Sequence, residues 1–454
     1  EQQRWLDEHP HTVCFVVKDI AMSLGRFSDW FYEHPSQRIR VVGITGTNGK
    51  TSTAFYTAQL LDALGKKTAL IGTLGNGVFM QGTIQTRVDT RNTTPDAVSV
   101  HRLLAEFASQ GVDWVMMEVS SHALELGRVS GVVFDTVVLT QVTRDHMDFH
   151  GTLEAYQQAK KKLFTDYPAR VKVLNAKDGV GQELITMQQR LNSENQHSAL
   201  LWTYSVEGAD QKTMPSCHVS AYSLVLNPHG MQFQLGGTAI HKGGGGINKP
   251  ILVPLLGAFN VENILCALSI VLAGEKQATK KEGWQTLVEA LLTLQAVSGR
   301  MQSIHLPSSF PTVLVDFAHT PDALEQVLTA VKQHVSANTK GRLWVVFGCG
   351  GNRDQGKRPF MAQVAERIAD EIMVTSDNPR FESPEKIIEQ IMDGFQHDSV
   401  HVILDRAEAI QQVVLQATPD DVVLIAGKGH EDYQEIKGVK VPFRDEQVVL
   451  GVNK

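Results

Sequence analysis

Four cysteines in 454 residues (Cys14, Cys217, Cys266 and Cys349), with no CxxC pair among them, provide neither a disulfide frame nor a thiolate cage for zinc. Scattered thiols of this kind suit a reducing compartment, so a cytoplasmic protein is expected. Long apolar runs are missing as well. The most apolar stretch, "ILVPLLGAFNVENILCALSIVLAG", is broken by Pro254, Asn260, Glu262 and Asn263, which argues against a membrane span. There is no basic excess: 42 Lys and Arg against 49 Asp and Glu give a net charge of −7, the wrong sign for nucleic acid or an anionic membrane. No secretory signal is visible, although the chain begins at Glu1 rather than methionine. What is present is ordinary for a globular protein, 42% hydrophobic and 20% charged, over a length that calls for two or three domains.

The organisation follows from periodicity. Residues 1–38 contain a short apolar piece, "TVCFVV", and a helical pattern ending near Phe31. From Arg40 the pattern becomes strand, turn and helix in repetition, which predicts a largely parallel sheet wrapped by helices. "RVVGIT", "KTALIGT", "DWVMMEVS" and "FDTVVLTQV" read as its strands. "TTPDAVSVHRLLAEFASQG" reads as a helix with Thr94 as cap, Pro95 at the first position and Gly111 as terminator. Between about 170 and 250 polar alternation and "KGGGG" suggest an antiparallel region of the same domain. After "SGRMQ" a second α/β set begins, with strands "TVLVDFAH", "LWVVFGCGG", "EIMVTSDNP", "VHVIL" and "DVVLIAGKGH". The expected division is a remnant or linker over 1–38, a central domain over 39–298 and a C-terminal domain over 299–454.

Polar clusters stand where the apolar strands end, the usual place for ligands in open parallel sheets. The first is "GTNGKT". Gly46, Thr47, Asn48 and Gly49 would turn backbone N–H groups toward a phosphate, Lys50 adds positive charge, and Thr51 can place a hydroxyl on Mg²⁺ at a helix start. Glu118 ends the strand "WVMMEVS", where a buried carboxylate asks for a neutralising cation. His146 follows another strand, and Lys160 lies in a run of three lysines. Taken alone, each of these two reads as a packed or solvated residue.

Together the motifs are more specific. "GTNGKT", "NTTPD", "MEVSSHAL", "RDHMDFHG", "EAYQQAKKKLF", "LGAFNVEN", "SGRM", "VDFAHTPDAL", "GCGGNRDQGKRP", "DNPR" and "AGKGHEDYQ" run in order from Gly43 to Gln434, and the chain resembles the Mur ligases, MurE type. The resemblance implies a P-loop ATPase-like central domain, a Rossmann-like C-terminal domain, and loss of most of an N-terminal uridine-binding domain. It implies an ATP-dependent, cytoplasmic and monomeric ligase of peptidoglycan precursor synthesis, acting on UDP-MurNAc-L-Ala-D-Glu and meso-diaminopimelate. Lys50, Glu118, His146 and Lys160 would be catalytic. Thr51 and Glu118 would hold one Mg²⁺, and His146 with a CO₂-derived carbamate on Lys160 a second. Lys160 is chosen over Lys161 and Lys162 by the family's "AK" pair alone.

The remaining assignments also come from the resemblance. Asn260 and Asn263 match adenine-side asparagines, Arg300 an arginine near the terminal phosphates, and Asp316 a ribose-binding acid with His319 nearby. Asn92, Thr93, Thr94, Ser120 and Arg128 match muropeptide contacts, although Leu126 stands where many relatives have glutamine. Arg353, Asp377, Asn378, Pro379, Arg380, Gly427 and Glu431 match the amino-acid pocket. An arginine grips a carboxylate in bidentate fashion, so "DNPR" implies diaminopimelate rather than lysine. A folate-type polyglutamate synthetase shares the phosphate loop, but "MEVSSHAL", "DNPR" and "GHEDYQ" argue against it.

Overall fold

The computed structural model describes residues 17, 19–88, 92–143, 145–194, 199–206, 217–227, 229–242, 249–336, 340–397 and 400–452. Most of the "TVCFVV" and "KGGGG" segments and Cys14 lie outside them. The first sheet has eleven strands in the order β11-β10-β9-β8-β7-β6-β1-β5-β2-β3-β4. These are β1 Arg40–Thr45, β2 Thr68–Gly72, β3 Gly75–Met80, β4 Thr83–Val88, β5 Trp114–Glu118, β6 Phe134–Leu139, β7 Ala169–Asn175, β8 Leu200–Val206, β9 His218–Asn227, β10 Gly230–Gly236 and β11 Ile251–Val253. Its centre is parallel and mainly apolar: β1 pairs with β5 on one side and β6 on the other, Val41, Val42 and Ile44 having no exposed surface. Strands covered on both faces read as continuous apolar runs for this reason.

The antiparallel texture expected over 170–250 is only partly present. β7 and β8 continue the parallel sheet, β8 pairs parallel with β9, and only β9, β10 and β11 run antiparallel. The helix after "NTTPD" spans Ala97–Ser109, and its cap is Asp96, whose carboxylate accepts the Ser99 N–H at 3.0 Å. Thr94, the expected cap, is instead buried two residues upstream, where its hydroxyl donates to the Glu118 carbonyl at 2.8 Å. Pro95 would itself have allowed a cap at Thr94, since an N-cap is non-helical; the Thr94 hydroxyl is instead committed to the end of β5.

The second sheet has the order β12-β13-β17-β14-β15-β16, comprising β12 Gln302–Ile304, β13 Thr312–Asp316, β14 Leu343–Phe347, β15 Glu371–Val374, β16 His401–Val402 and β17 Val422–Ala426. All neighbours are parallel except β12 with β13. A small hairpin of β18 Tyr433–Ile436 and β19 Val439–Pro442 follows. Each large sheet carries an apolar cluster on both faces. Leu256, which follows the last strand of the first sheet, is buried in the core of the second with Leu324, Leu328 and Val331.

Candidate active site

Three parallel strands, β1, β5 and β6, end side by side, with Ile44 opposite Glu118 and Thr45 opposite Leu139. The "GTNGKT" loop leaves β1 with Gly46 at φ 150° and Gly49 at φ 84°, both conformations that a Cβ disfavours. A Cβ on Gly46 would also strike the Thr140 hydroxyl, and one on Gly49 the Asn263 side-chain oxygen. The loop is therefore seated between the end of β6 and the helix Phe259–Gly274. Thr140 Oγ1 donates to the carbonyls of Thr45 (3.1 Å) and Asn48 (2.6 Å), and the Thr47 N–H to the Gln141 carbonyl (2.6 Å).

Lys50 opens the helix Lys50–Ala63 and folds back, its Nζ donating to the carbonyls of Gly46 and Thr47 at 2.9 Å each. Lys160 Nζ donates to the same Gly46 carbonyl at 2.8 Å. The two ammonium groups thus meet on one oxygen. Burial holds the Lys160 amine well below the usual lysine range, and the Lys50 charge lowers it further, with Asp145 opposing. Lys50 is lowered by burial too, against the pull of Glu118 and Asp145.

The structure separates the three lysines that the sequence left side by side. Lys160 has 1% of its surface exposed and lies over the Tyr156 ring at 4.5 Å, whereas Lys161 pairs with Glu183 and Lys162 with Glu125 at 2.8 Å. His146, exposed and at φ 54°, packs edge-on to the same Tyr156 and to His122. Tyr156 is thereby common to both expected ligands of the second metal, and its hydroxyl reaches Thr47 Oγ1 at 2.9 Å.

Glu118 is 2% exposed. It accepts from Thr51 Oγ1 (2.8 Å), the Thr73 N–H (2.9 Å) and Thr73 Oγ1 (3.2 Å), and among the described residues it makes no ion pair. A carboxylate and a hydroxyl facing each other are an oxygen donor set that suits a hard cation. Among the described residues no three His, Cys, Asp or Glu side chains are grouped to hold a metal alone. Mg²⁺ takes one or two carboxylates and completes its shell with phosphate and water. Beside this pair, Thr94 receives the Ser120 N–H (3.1 Å) and its carbonyl receives the Arg128 guanidinium (3.1 Å). Thr93 Oγ1 lies 3.3 Å from Thr73 Oγ1, and Asn92 is exposed.

Asn260 and Asn263 are buried at the start of Phe259–Gly274, linked by a 3.1 Å bond. Arg300 is exposed, yet its charge acts on both Lys50 and Asp316. Asp316 ends β13, with its two oxygens taken by the N–H groups of Met301 (2.7 Å) and Ala318 (2.8 Å). Burial raises its pKa. His319 is exposed, and its Nδ1 donates to the Phe317 carbonyl at 2.8 Å.

The second constellation lies at the ends of β14, β15 and β17. Asp377 and Asn378 are buried, and Gly427, at φ 120°, leaves the space that the Asp377 carboxylate occupies. Asn378 Nδ2 donates to Glu431 (2.9 Å), and Lys428 donates to both Asn378 Oδ1 and Glu431 at 3.1 Å. Arg380, after Pro379, is at φ 52°, and its backbone pairs with the hairpin: Arg380 N–H to the Glu435 carbonyl of β18, and the N–H of Lys437, just beyond β18, to the Arg380 carbonyl. The Arg380 guanidinium donates to Glu435 (3.2 Å) and the Gly351 carbonyl (2.9 Å). Arg353 is exposed, and it shares with Arg380 the space beside Gly350. Sequence reasoning missed Thr73, Asp145, Tyr156, Lys428 and Glu435. Asp145, Tyr156 and Lys428 sat inside quoted motifs and Thr73 at the end of the strand "KTALIGT", whereas Glu435 lies one residue past "AGKGHEDYQ".

An open depression of about 950 Å³ lies at the opposite ends of the same strands, lined by Arg40, Trp114, Phe134 and Ala169. Within it Arg40 and Lys66 pair with Glu275 and Arg170 with Asp135, and the length of the strands sets it apart from the chemistry above.

The Mur ligase middle domain matches residues 44–271, and the Mur ligase, glutamate ligase domain matches residues 299–429. A UDP-N-acetylmuramoyl-L-alanyl-D-glutamate–2,6-diaminopimelate ligase of Xanthomonas campestris pv. campestris is 43% identical over 437 residues, covering 96% of this chain and 81% of its own. The protein of that name from Pseudomonas syringae pv. tomato is 41% identical over 434 residues, covering 94% and 81%. A solved structure of a ligase of that name superposes with a TM-score of 0.70 at 37% identity, over 96% of this chain and 83% of that one. A folylpolyglutamate synthase of Mycobacterium tuberculosis complexed with ADP and AMPPCP shares the fold, with a TM-score of 0.62 at 18% identity over 94% of each chain. By its two matched domains and its relatives above 40% identity, the chain belongs to the Mur ligase family.

Proposed function

We propose that this protein is an ATP-dependent amide ligase that adds meso-diaminopimelate to UDP-MurNAc-L-Ala-D-Glu, in the cytoplasm and as a monomer. Residues 39–298 form the nucleotide-binding unit and 299–454 the amino-acid-binding unit in this reading. Like the ligases whose name its relatives carry, it would join the glutamate carboxylate to an amino group. The observation that carries the proposal is the meeting of Lys50 and Lys160 on the Gly46 carbonyl, beside the Thr51–Glu118 pair.

A nucleotide phosphate entering the loop offers Lys50 a better acceptor than its own backbone, and two anions can then approach each other. The carboxylate of the muropeptide attacks the γ-phosphorus, the bond to the β–γ bridging oxygen breaks, and ADP leaves with an acyl phosphate formed. The amine then attacks the acyl carbon, loses a proton, and phosphate departs. Thr51 and Glu118 would hold one Mg²⁺ and His146 with carbamylated Lys160 another; bound there, the metals neutralise phosphate charge. Lys160 suits that modification because its burial favours the neutral amine that can add to CO₂. Asn260, Asn263, Arg300, Asp316 and His319 serve the nucleotide, and Asn92, Thr93, Thr94, Ser120 and Arg128 the muropeptide. Arg353, Asp377, Asn378, Arg380, Gly427 and Glu431 serve the incoming amino acid.

The test is isotopic. With ¹⁸O in the γ-carboxyl of the glutamate, one label should appear in the released phosphate, and only when meso-diaminopimelate is supplied. Label that stays wholly in the peptide rules the acyl phosphate out.

A further inference from the structure

His334 lies on the helix Pro321–Ser336 of the second sheet and has no exposed surface. Its Nε2 is 2.8 Å from the Gly257 nitrogen, and its Nδ1 2.8 Å from the Asn227 carbonyl oxygen. A backbone N–H can only donate and a carbonyl can only accept, so the ring is neutral with its proton on Nδ1. Both partners belong to the first sheet: Asn227 ends β9, and Gly257 follows β11.

From Gly257 the bonds continue to the phosphate loop. Gly257 is at φ 88°, and a Cβ there would fall 2.6 Å from the Phe259 ring, so the turn has no room for a side chain at this position. The Asn260 N–H donates to the Gly257 carbonyl (2.8 Å) and Asn260 Nδ2 to the Leu256 carbonyl (2.7 Å). Asn260 Oδ1 accepts from the Tyr56 hydroxyl (3.0 Å) and from Asn263 Nδ2 (3.1 Å). Tyr56 is on the phosphate-loop helix, and the Asn263 side-chain oxygen fills the space beside Gly49.

We propose that His334 is a positioning residue for nucleotide binding: from the second domain it holds the Leu255–Gly257 turn so that Asn260 and Asn263 stay set against the phosphate loop. A buried histidine that only packed would need neither nitrogen satisfied by the other domain. Here both are, and Leu256 beside them is anchored in the second core. The proposal rests on the reading of this loop as a nucleotide site.

The test uses the full chain and three variants, with magnesium–ADP titrated calorimetrically and KM measured for ATP and for diaminopimelate. His334→Gln puts an amide acceptor where Nε2 stands. His334→Asn keeps only the Nδ1 side, and His334→Leu keeps neither. ADP affinity and the ATP KM should stay within about threefold in the Gln variant and worsen by about tenfold in the other two. The effect should fall on KM for ATP rather than on kcat or on KM for diaminopimelate. Equal weakening in all three, no weakening in the Asn variant, or a matching loss of diaminopimelate affinity overturns the proposal. If the Leu variant does not fold, the Gln and Asn pair carries the same contrast. Failure of the unaltered protein to bind ADP would defeat the nucleotide reading itself, a result visible before any variant is made.

Discussion

One carbonyl oxygen, that of Gly46, accepts from two lysines, and the physical consequence is a displaced acid–base balance. Burial first, and then repulsion by the charge of the neighbouring Lys50, drive Lys160 toward its neutral form. Carbamylation would convert that repulsion into attraction by placing an anion beside Lys50. Activity of enzyme stripped of CO₂ should therefore recover on adding bicarbonate, and Lys160→Ala should abolish the recovery. Lys161→Ala, whose surface pair with Glu183 is dispensable, should retain it. Arg380 invites a second prediction. It is held by a hairpin backbone on one side and by Glu435 on the other, with donors left to face a carboxylate. Arg380→Ala should weaken meso-diaminopimelate binding by about 2 kcal/mol, roughly thirtyfold in KM, while the ATP KM stays put. Equal KM values for diaminopimelate would refute its role.

The elements show where local rules suffice and where they compete. "RVVGIT" and "WVMMEVS" are strands because a fully covered parallel strand needs an apolar run, and "LWVVF" and "VVLIA" follow the same rule in the second sheet. The cap at 94–96 was ambiguous because Thr94, Pro95 and Asp96 all favour helix starts. Tertiary contact decided it, since the Thr94 hydroxyl is required by Glu118 and Ser120. Asp96→Ala should accordingly cost about 1 kcal/mol of stability, read as a lowered denaturation midpoint, with the muropeptide KM unchanged. The hairpins β3–β4 and β18–β19 left weaker traces. β19 is exposed along its length, and its four-residue "VKVP" run is too short to mark a strand, although it backs the strand that grips Arg380.

Across the whole molecule, three buried histidines tie stability to pH. Burial lowers the pKa of His218 to about 4, and lowers those of His101 and His334. The unfolded chain, with histidines near 6.5, then binds more protons than the folded one as pH falls. Their stabilising contribution is complete above about pH 6.5 and is lost on acidification, at up to about 1.4 kcal/mol per pH unit for each. For His218 the window runs from about 6.5 to about 4. Denaturant midpoints should be flat from pH 8 to 7 and fall below 6.5, more gently in His218→Gln. Identical slopes in the two proteins would count against this account. Among the described residues no helix is long and apolar enough to cross a membrane.

The sequence by itself determined the two parallel sheets, the phosphate loop and the family, because covered strands, left-handed glycines and ordered motifs are properties of neighbouring residues. Contacts between distant residues decided the rest. Which of three adjacent lysines is buried depends on the Tyr156 ring and the Gly46 carbonyl. Which acid caps a helix depends on what Thr94 does for a strand 24 residues later. That a histidine on the second sheet holds a turn of the first could not be read locally at all, since a hydrogen bond spanning 77 residues leaves no periodicity in the chain.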